Sequence, residues 1–122
     1  MDKKSLEKEL LKLWKRACLK YWGNKCEVCQ KPAIDPHHYI SRSASLGLKY
    51  NIMNCVPLCK KCHSQLKWKD ASAIDAQICL SRGKDWIKYI LAMKSYFKKN
   101  PVKKTKKYLQ NQYETLRNII KK

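Results

Sequence analysis

The chain has 122 residues, enough for one small domain or a compact module with helical arms. It carries 28 Lys and Arg against 9 Asp and Glu, a formal charge of +19. That excess exceeds what solubility requires and favours a polyanionic partner, nucleic acid ahead of an anionic membrane surface. No run of 18 apolar residues is present, which excludes a bilayer-spanning helix. The opening segment, MDKKSLEKELLKLWKR, is charged throughout and lacks the apolar centre of a signal peptide, so the expected location is cytoplasmic.

In chain order, residues 5–22 read as an amphipathic helix. Leu6, Leu10, Leu13, Ala17 and Tyr21 recur three and four apart, lysines fill the other faces, and Gly23 with Asn24 supplies a left-handed stop. From residue 25 to about 67 the character changes. This stretch holds two CxxC pairs, all three histidines, Pro32, Pro36 and Pro57, and short apolar pairs in place of a helical stripe. It reads as a knuckle, a short strand, a loop, a second short strand and a helix starting near Lys60. A further short helix is predicted over about 71–80, broken at Gly83. Trp86, Ile90, Met93 and Phe97 then recur at 4-3-4 spacing, as do Leu109, Tyr113, Leu116 and Ile120. Asn100 and Pro101 separate these two stripes. They fit either a helical hairpin, possible as a homodimer contact through the C-terminal helices, or two helices packed on the cysteine-rich module. The expected units are an N-terminal helix (1–24), a central module (25–69) and a basic helical region (70–122).

Seven cysteines are an odd number, and no export signal accompanies them, which argues against a disulfide framework. Cys26 and Cys29 form one CxxC pair and Cys59 and Cys62 the other. Two such knuckles complete a tetrahedron around one metal ion, and four thiolates with no open position make a structural zinc site. Its binding energy is folding energy for a chain with a small core. Cys18, Cys55 and Cys79 read as small core residues. Zinc alone does not specify function, because a non-catalytic zinc-ribbon module that binds nucleic acid uses the same four cysteines.

The residues between and after the knuckles distinguish these readings. They are His37-His38-Tyr39-Ile40, then Asn54 five residues before Cys59, then His63 directly after Cys62. In order, spacing and residue type this stretch resembles the HNH endonuclease family. The resemblance implies a small α+β fold, a zinc-stapled ββα-metal core flanked by an N-terminal helix and C-terminal helices. It also implies metal-dependent cleavage of DNA phosphodiester bonds. His38 would be the general base that activates water, and Asn54 would brace the loop that bears it. His37 and His63 would hold a catalytic divalent cation, Mg²⁺, Mn²⁺ or another transition metal, which stabilises the leaving 3′ oxygen. Many members of the family have Asp where His37 stands, and two imidazoles favour a softer ion than Mg²⁺. Asp35 is near enough to reach the metal or orient a ring, but the motif assigns it no role. A zinc ribbon has no reason to carry Asn54 or His63 at these positions.

A narrower similarity, carried by His38-Tyr39, Arg42, the segment Leu48-Lys49-Tyr50-Asn51 and residues 76–90, is to phage recombination nucleases of the NinG/Rap type. It implies branched recombination intermediates as substrates and a phage or bacterial host cytosol as the setting. The CxxC-His ending and the His-His pair depart from that type. Arg42 is expected to contact phosphate. Lys103, Lys104, Lys106 and Lys107, in the run KKNPVKKTKK, are expected to bind DNA without sequence preference. Tyr39, Tyr50 and Trp68 are possible stacking surfaces for bases.

Overall fold

A computed structural model describes residues 1–68 and 71–122. The Trp68 side chain, offered above as a stacking surface, lies outside the described residues. The elements are α1 (Lys3–Trp22), β1 (Asp35–His38), α2 (Leu46–Lys49), a 3₁₀ turn (Ile52–Asn54), β2 (Cys55–Leu58), α3 (Lys60–Trp68), α4 (Ala71–Arg82), α5 (Lys84–Lys99) and α6 (Lys106–Lys121). The α+β class expected from the sequence is the one adopted, with a two-stranded antiparallel sheet pairing Asp35 with Leu58 and His38 with Cys55. Among the described residues no helix is long and apolar enough to cross a membrane.

Helix starts are set by short polar side chains. Asp2 accepts from the Ser5 amide at 2.8 Å, Ser45 from Leu48 at 3.2 Å, and Thr105 from Tyr108 at 3.0 Å. At Gly23, φ is 94°, which favours a residue without Cβ where α1 ends. The buried face of α1 is rotated from the one read in the sequence. Leu6, Leu10, Leu13 and Ala17 are buried as expected, but Trp14 and Cys18 join them while Tyr21 is exposed. The full apolar set, 6-10-13-14-17-18, is centred nearer Trp14 than Tyr21.

The buried side chains form two clusters. The first joins Cys26, Ile40, Leu48, Val56, Leu58, Cys59 and Cys62 of the central segment to Ile74 and Ile78 of α4 and Trp86 and Ile90 of α5. The second joins the apolar face of α1 to Tyr50, Cys55, Leu109 and Leu116. The two C-terminal stripes therefore go to different places: α5 packs on the central segment and α4, while α6 packs along α1. This corrects the hairpin expectation. Periodicity marks each stripe as apolar without choosing its partner, and here the central segment with α4 covers one stripe and α1 the other. Gly47 is required where α5 crosses α2, because a Cβ there would overlap the Phe97 ring.

Two of the three cysteines read as isolated core residues are in fact paired. Cys18 of α1 and Cys55 of β2 form a disulfide with Cα atoms 6.0 Å apart. The sequence separation of 37 gives no local signal for the pairing, which depends on α1 lying across β2. Cys79 is only partly buried, with its Sγ 3.5 Å from the Tyr39 hydroxyl.

Three tryptophans grip the turn that leads into β2. The indole N–H groups of Trp14, Trp22 and Trp86 donate to the successive carbonyls of Asn51, Ile52 and Met53, at 3.1, 2.9 and 2.8 Å. Two come from α1 and one from α5, so both clusters hold the same three residues. Buried indoles need acceptors, and the carbonyls of Asn51 and Ile52 serve on a second lone pair, since they already accept from the Asn54 and Cys55 amides of the turn.

Candidate active site

The first knuckle is fastened to β2: the Glu27 amide donates to the Pro57 carbonyl at 2.9 Å, and Lys25 bridges to Pro32. Gln30, with φ of 66°, turns the chain back after Cys29. The second knuckle leads from β2 into α3, where the Cys62 amide donates to Cys59 Sγ at 3.4 Å. As a result the Sγ atoms of Cys26, Cys29, Cys59 and Cys62 all lie within 4.8 Å of one another, with Cys29 and Cys59 at 3.6 Å. Tetrahedral thiolates at a zinc–sulfur distance of about 2.3 Å sit roughly 3.8 Å apart, so the four fit a zinc ion.

Arg82 supports this arrangement and was not singled out from the sequence. Its Nε is 2.9 Å from Glu27 Oε1 in the first knuckle, and an Nη donates to the Cys55 carbonyl at 2.9 Å. The guanidinium carbon lies 3.4 Å from the Trp22 ring centroid and 5.0 Å from that of Trp86. The side chain is 3 % exposed, and pairing with a carboxylate offsets the cost of burying its charge.

All three histidines line a cavity of about 380 Å³, together with Pro36, Ser41, Arg42, Lys67 and two residues of α1, Leu11 and Lys15. His37 and His38 are neighbours on β1, and adjacent strand residues point to opposite faces. His37 accordingly turns toward His63 of α3, with ring centroids 5.2 Å apart. His38 turns toward α1 and stacks on Trp14, with centroids 3.8 Å apart and planes inclined by 11°. Asp35 Oδ2 lies 3.6 Å from His63 Nδ1, which gives the carboxylate a partner the motif did not provide.

His38 Nε2 is 2.8 Å from the Lys49 carbonyl. A carbonyl can only accept, so Nε2 carries the proton and Nδ1 keeps the lone pair. Burial lowers the His38 pKa to about 4 despite this hydrogen bond, which opposes the shift, and Arg42 adds to the lowering. Burial also lowers the His37 pKa to about 4, with His63 and Lys67 contributing. Near neutral pH both rings are uncharged, the form in which imidazole binds metals or accepts a proton.

Asn54 is fully buried, and its side chain makes three hydrogen bonds. Oδ1 accepts from the Ile40 amide at 2.8 Å, while Nδ2 donates to the carbonyls of Ile40 at 3.0 Å and Leu48 at 3.1 Å. It thus ties the end of β1 to α2, next to the Lys49 carbonyl that holds His38. Arg42 is exposed at the rim of the cavity. Lys103 and Lys104 precede α6, and Lys106 and Lys107 lie in its first turn; all four are exposed, and Lys104 Nζ is 2.8 Å from Glu7 Oε1. Tyr50 is 2 % exposed, too buried to stack on a base, and Tyr39 is half-buried against Trp86, with centroids 4.9 Å apart.

Trp14, Leu11 and Lys15 belong to no motif in the sequence. Trp14 had a readable signal in the helical spacing of Leu10, Trp14 and Ala17, but nothing local relates it to His38.

The family model described as HNH endonuclease matches residues 26–68, about a third of the chain. No curated protein and no solved structure matches this chain.

Proposed function

We propose that the chain is a metal-dependent endonuclease that hydrolyses DNA phosphodiester bonds in the cavity between β1, α3 and α1. The observation that carries this reading is the state of His38: Nε2 is engaged by a backbone carbonyl, one ring face is covered by Trp14, and Nδ1 is left as the base. The match to the HNH endonuclease family supports it.

In this reading His38 Nδ1 accepts a proton from water, the water oxygen bonds to phosphorus as the P–O3′ bond breaks, and the 3′ oxygen takes a proton from solvent, leaving a 5′-phosphate and a 3′-hydroxyl. His37 and His63 would hold the catalytic cation and Asp35 would orient His63. Among the described residues these three do not draw together as the four cysteines do, so two imidazoles are the ligands, a set that suits a borderline divalent ion. When bound, such a cation supplies positive charge to the phosphate and the departing oxygen. Asn54 keeps the 40–48 loop closed so that the Lys49 carbonyl stays on His38. Arg42 steadies the phosphate.

The test is a panel of supercoiled, linear, single-stranded and four-way-junction DNA with Mg²⁺ or Mn²⁺, comparing wild type with His38→Ala. Cleavage should require the added ion and fall by about 10²- to 10⁴-fold in the variant, with structural zinc retained. Preference for the junction would favour the recombination substrates implied by the similarity at 38–51 and 76–90. No cleavage by either protein under any ion would favour the non-catalytic zinc ribbon.

A further inference from the structure

One wall of the cavity lies outside the segment matched by the family: Leu11 and Lys15 of α1. Helical spacing places Lys4 and Lys8 on the same face, since 4, 8, 11 and 15 follow a 4-3-4 pattern. Lys4, Lys8 and Lys15 are exposed, and none is ion-paired among the described residues. The acidic residues at this end of the chain are engaged elsewhere. Asp2 caps the helix, Glu7 binds Lys104, and Glu9 lies 3.5 Å from Lys12. Arg42 continues the positive edge past His38.

The row is also fixed in place. The apolar side of α1 is buried, Cys18 is bonded to Cys55, and Trp14 and Trp22 are anchored on the 51–53 turn. A cation row on a held helix loses less freedom on binding than lysines on an extended connection. At 1.5 Å per residue the row is about 17 Å long. A DNA strand advances about 3.4 Å of axis per phosphate, so the row spans roughly five phosphates.

We propose that α1 is the grip for the substrate: a DNA strand leaves the phosphate at His38, passes Arg42 and Lys15, and follows Lys8 and Lys4 along the helix. This rests on reading the cavity as the nuclease site, but its test does not require cleavage. The full zinc-loaded chain carrying His38→Ala is titrated with a fluorescent 30-base-pair duplex (about three helical turns) over a range of salt concentrations. The triple change Lys4→Gln, Lys8→Gln, Lys15→Gln is compared with Lys88→Gln, Lys98→Gln, Lys99→Gln on α5, which removes the same charge. Glutamine keeps helix propensity, and circular dichroism checks that each protein is folded.

The α1 triple should weaken binding at least about tenfold and make the slope of log K against log salt shallower by up to about 2.7, three contacts at about 0.9 each. The α5 triple should stay close to the parent. Equal effects of the two triples would overturn the proposal, because the +19 charge would then act as a diffuse field. So would an α1 triple that binds like the parent. Should the α1 triple lose helix, the single changes Lys8→Gln and Lys15→Gln are read against Lys88→Gln in the same way. Row-dependent binding without cleavage by wild type would retire the nuclease reading and leave the grip standing; cleavage with unimpaired binding by the α1 triple would retire the grip alone.

Discussion

The two cores of this small protein are stapled by the same residue type through different chemistry. Around the central segment, four cysteines converge within 4.8 Å and fit a metal. Between α1 and β2, Cys18 and Cys55 meet as a pair and form a covalent bond. Four thiolates around a point favour an ion, whereas two buried sulfurs with no further donor leave only each other. The cores also divide the candidate chemistry. His37 and His63 stand on the metal-stapled side, while His38, one residue along β1, is backed by Trp14 from the other side. A strand only four residues long thus presents one imidazole to each half of the molecule.

Removing zinc should break the comparison most completely. A strong chelator is expected to abolish cooperative unfolding of the first core, a loss on the order of 10 kcal/mol, because metal affinity in such sites is folding free energy. Thermal melts followed by circular dichroism, with zinc release monitored by a chromogenic chelator, would show it; an unchanged melt after complete zinc loss would refute it.

Reducing the disulfide should come next. For the 37-residue separation, loop-closure entropy gives about 4 kcal/mol. Denaturant unfolding of Cys18→Ala/Cys55→Ala measures the loss, and its zinc content should stay at one ion per chain. Alkylation of the denatured, unreduced and metal-free wild type should label five cysteines, the seven in the sequence less the two in the bond. Seven labels would show that the pair is not bonded.

Leu109→Ala sharpens the distinction between stability and site. It opens a cavity between α6 and α1 and should cost about 2–5 kcal/mol. Because Trp14 belongs to the same cluster, catalysis should fall in the folded variant although no residue of the cavity is altered. Full activity under conditions where Leu109→Ala is completely folded would show that α1 needs no support from α6.

The smallest effect expected is on pH. His37 and His38 have folded pKa values near 4 against an ordinary 6.5, so below 6.5 the unfolded chain takes up protons that the folded chain refuses. Their contribution is fully present above about pH 6.5 and is lost as pH falls toward 4. Without added divalent ion, the denaturant midpoint should drop between pH 7 and 5, less steeply in His37→Gln/His38→Gln. The zinc thiolates add the same slope to both proteins, so the difference between the two isolates the imidazoles. Parallel slopes would count against the burial argument.

The metal-stapled half was largely legible in the sequence because its signals are local. CxxC spacing fixes a knuckle, and His63 and Asn54 are counted from Cys62 and Cys59. The strands and the start of α3 at Lys60 follow from the same stretch. The second half was less legible because its key relations are distant. Trp14 reaches His38 across 24 positions, Cys18 reaches Cys55 across 37, and the α6 stripe chose α1 over its neighbour α5. Periodicity reports that a face is apolar but not which surface covers it. The same limit explains why the lysine run before α6 drew attention while Lys15, in an ordinary helical pattern, did not.

The order in which a ribosome delivers these pieces has a consequence of its own. The helix bearing Trp14 ends at Trp22 and is held partly by a helix that begins at Lys106, so about 80 residues must be added between the two. At about 5–20 residues per second that is a delay of roughly 4–16 s. Once His63 has been added, the nascent polypeptide has all three histidines and both CxxC pairs, but the helix that backs the ring at residue 38 still lacks its clamp. Synthesis itself thus postpones full support of the candidate site until α6 has emerged.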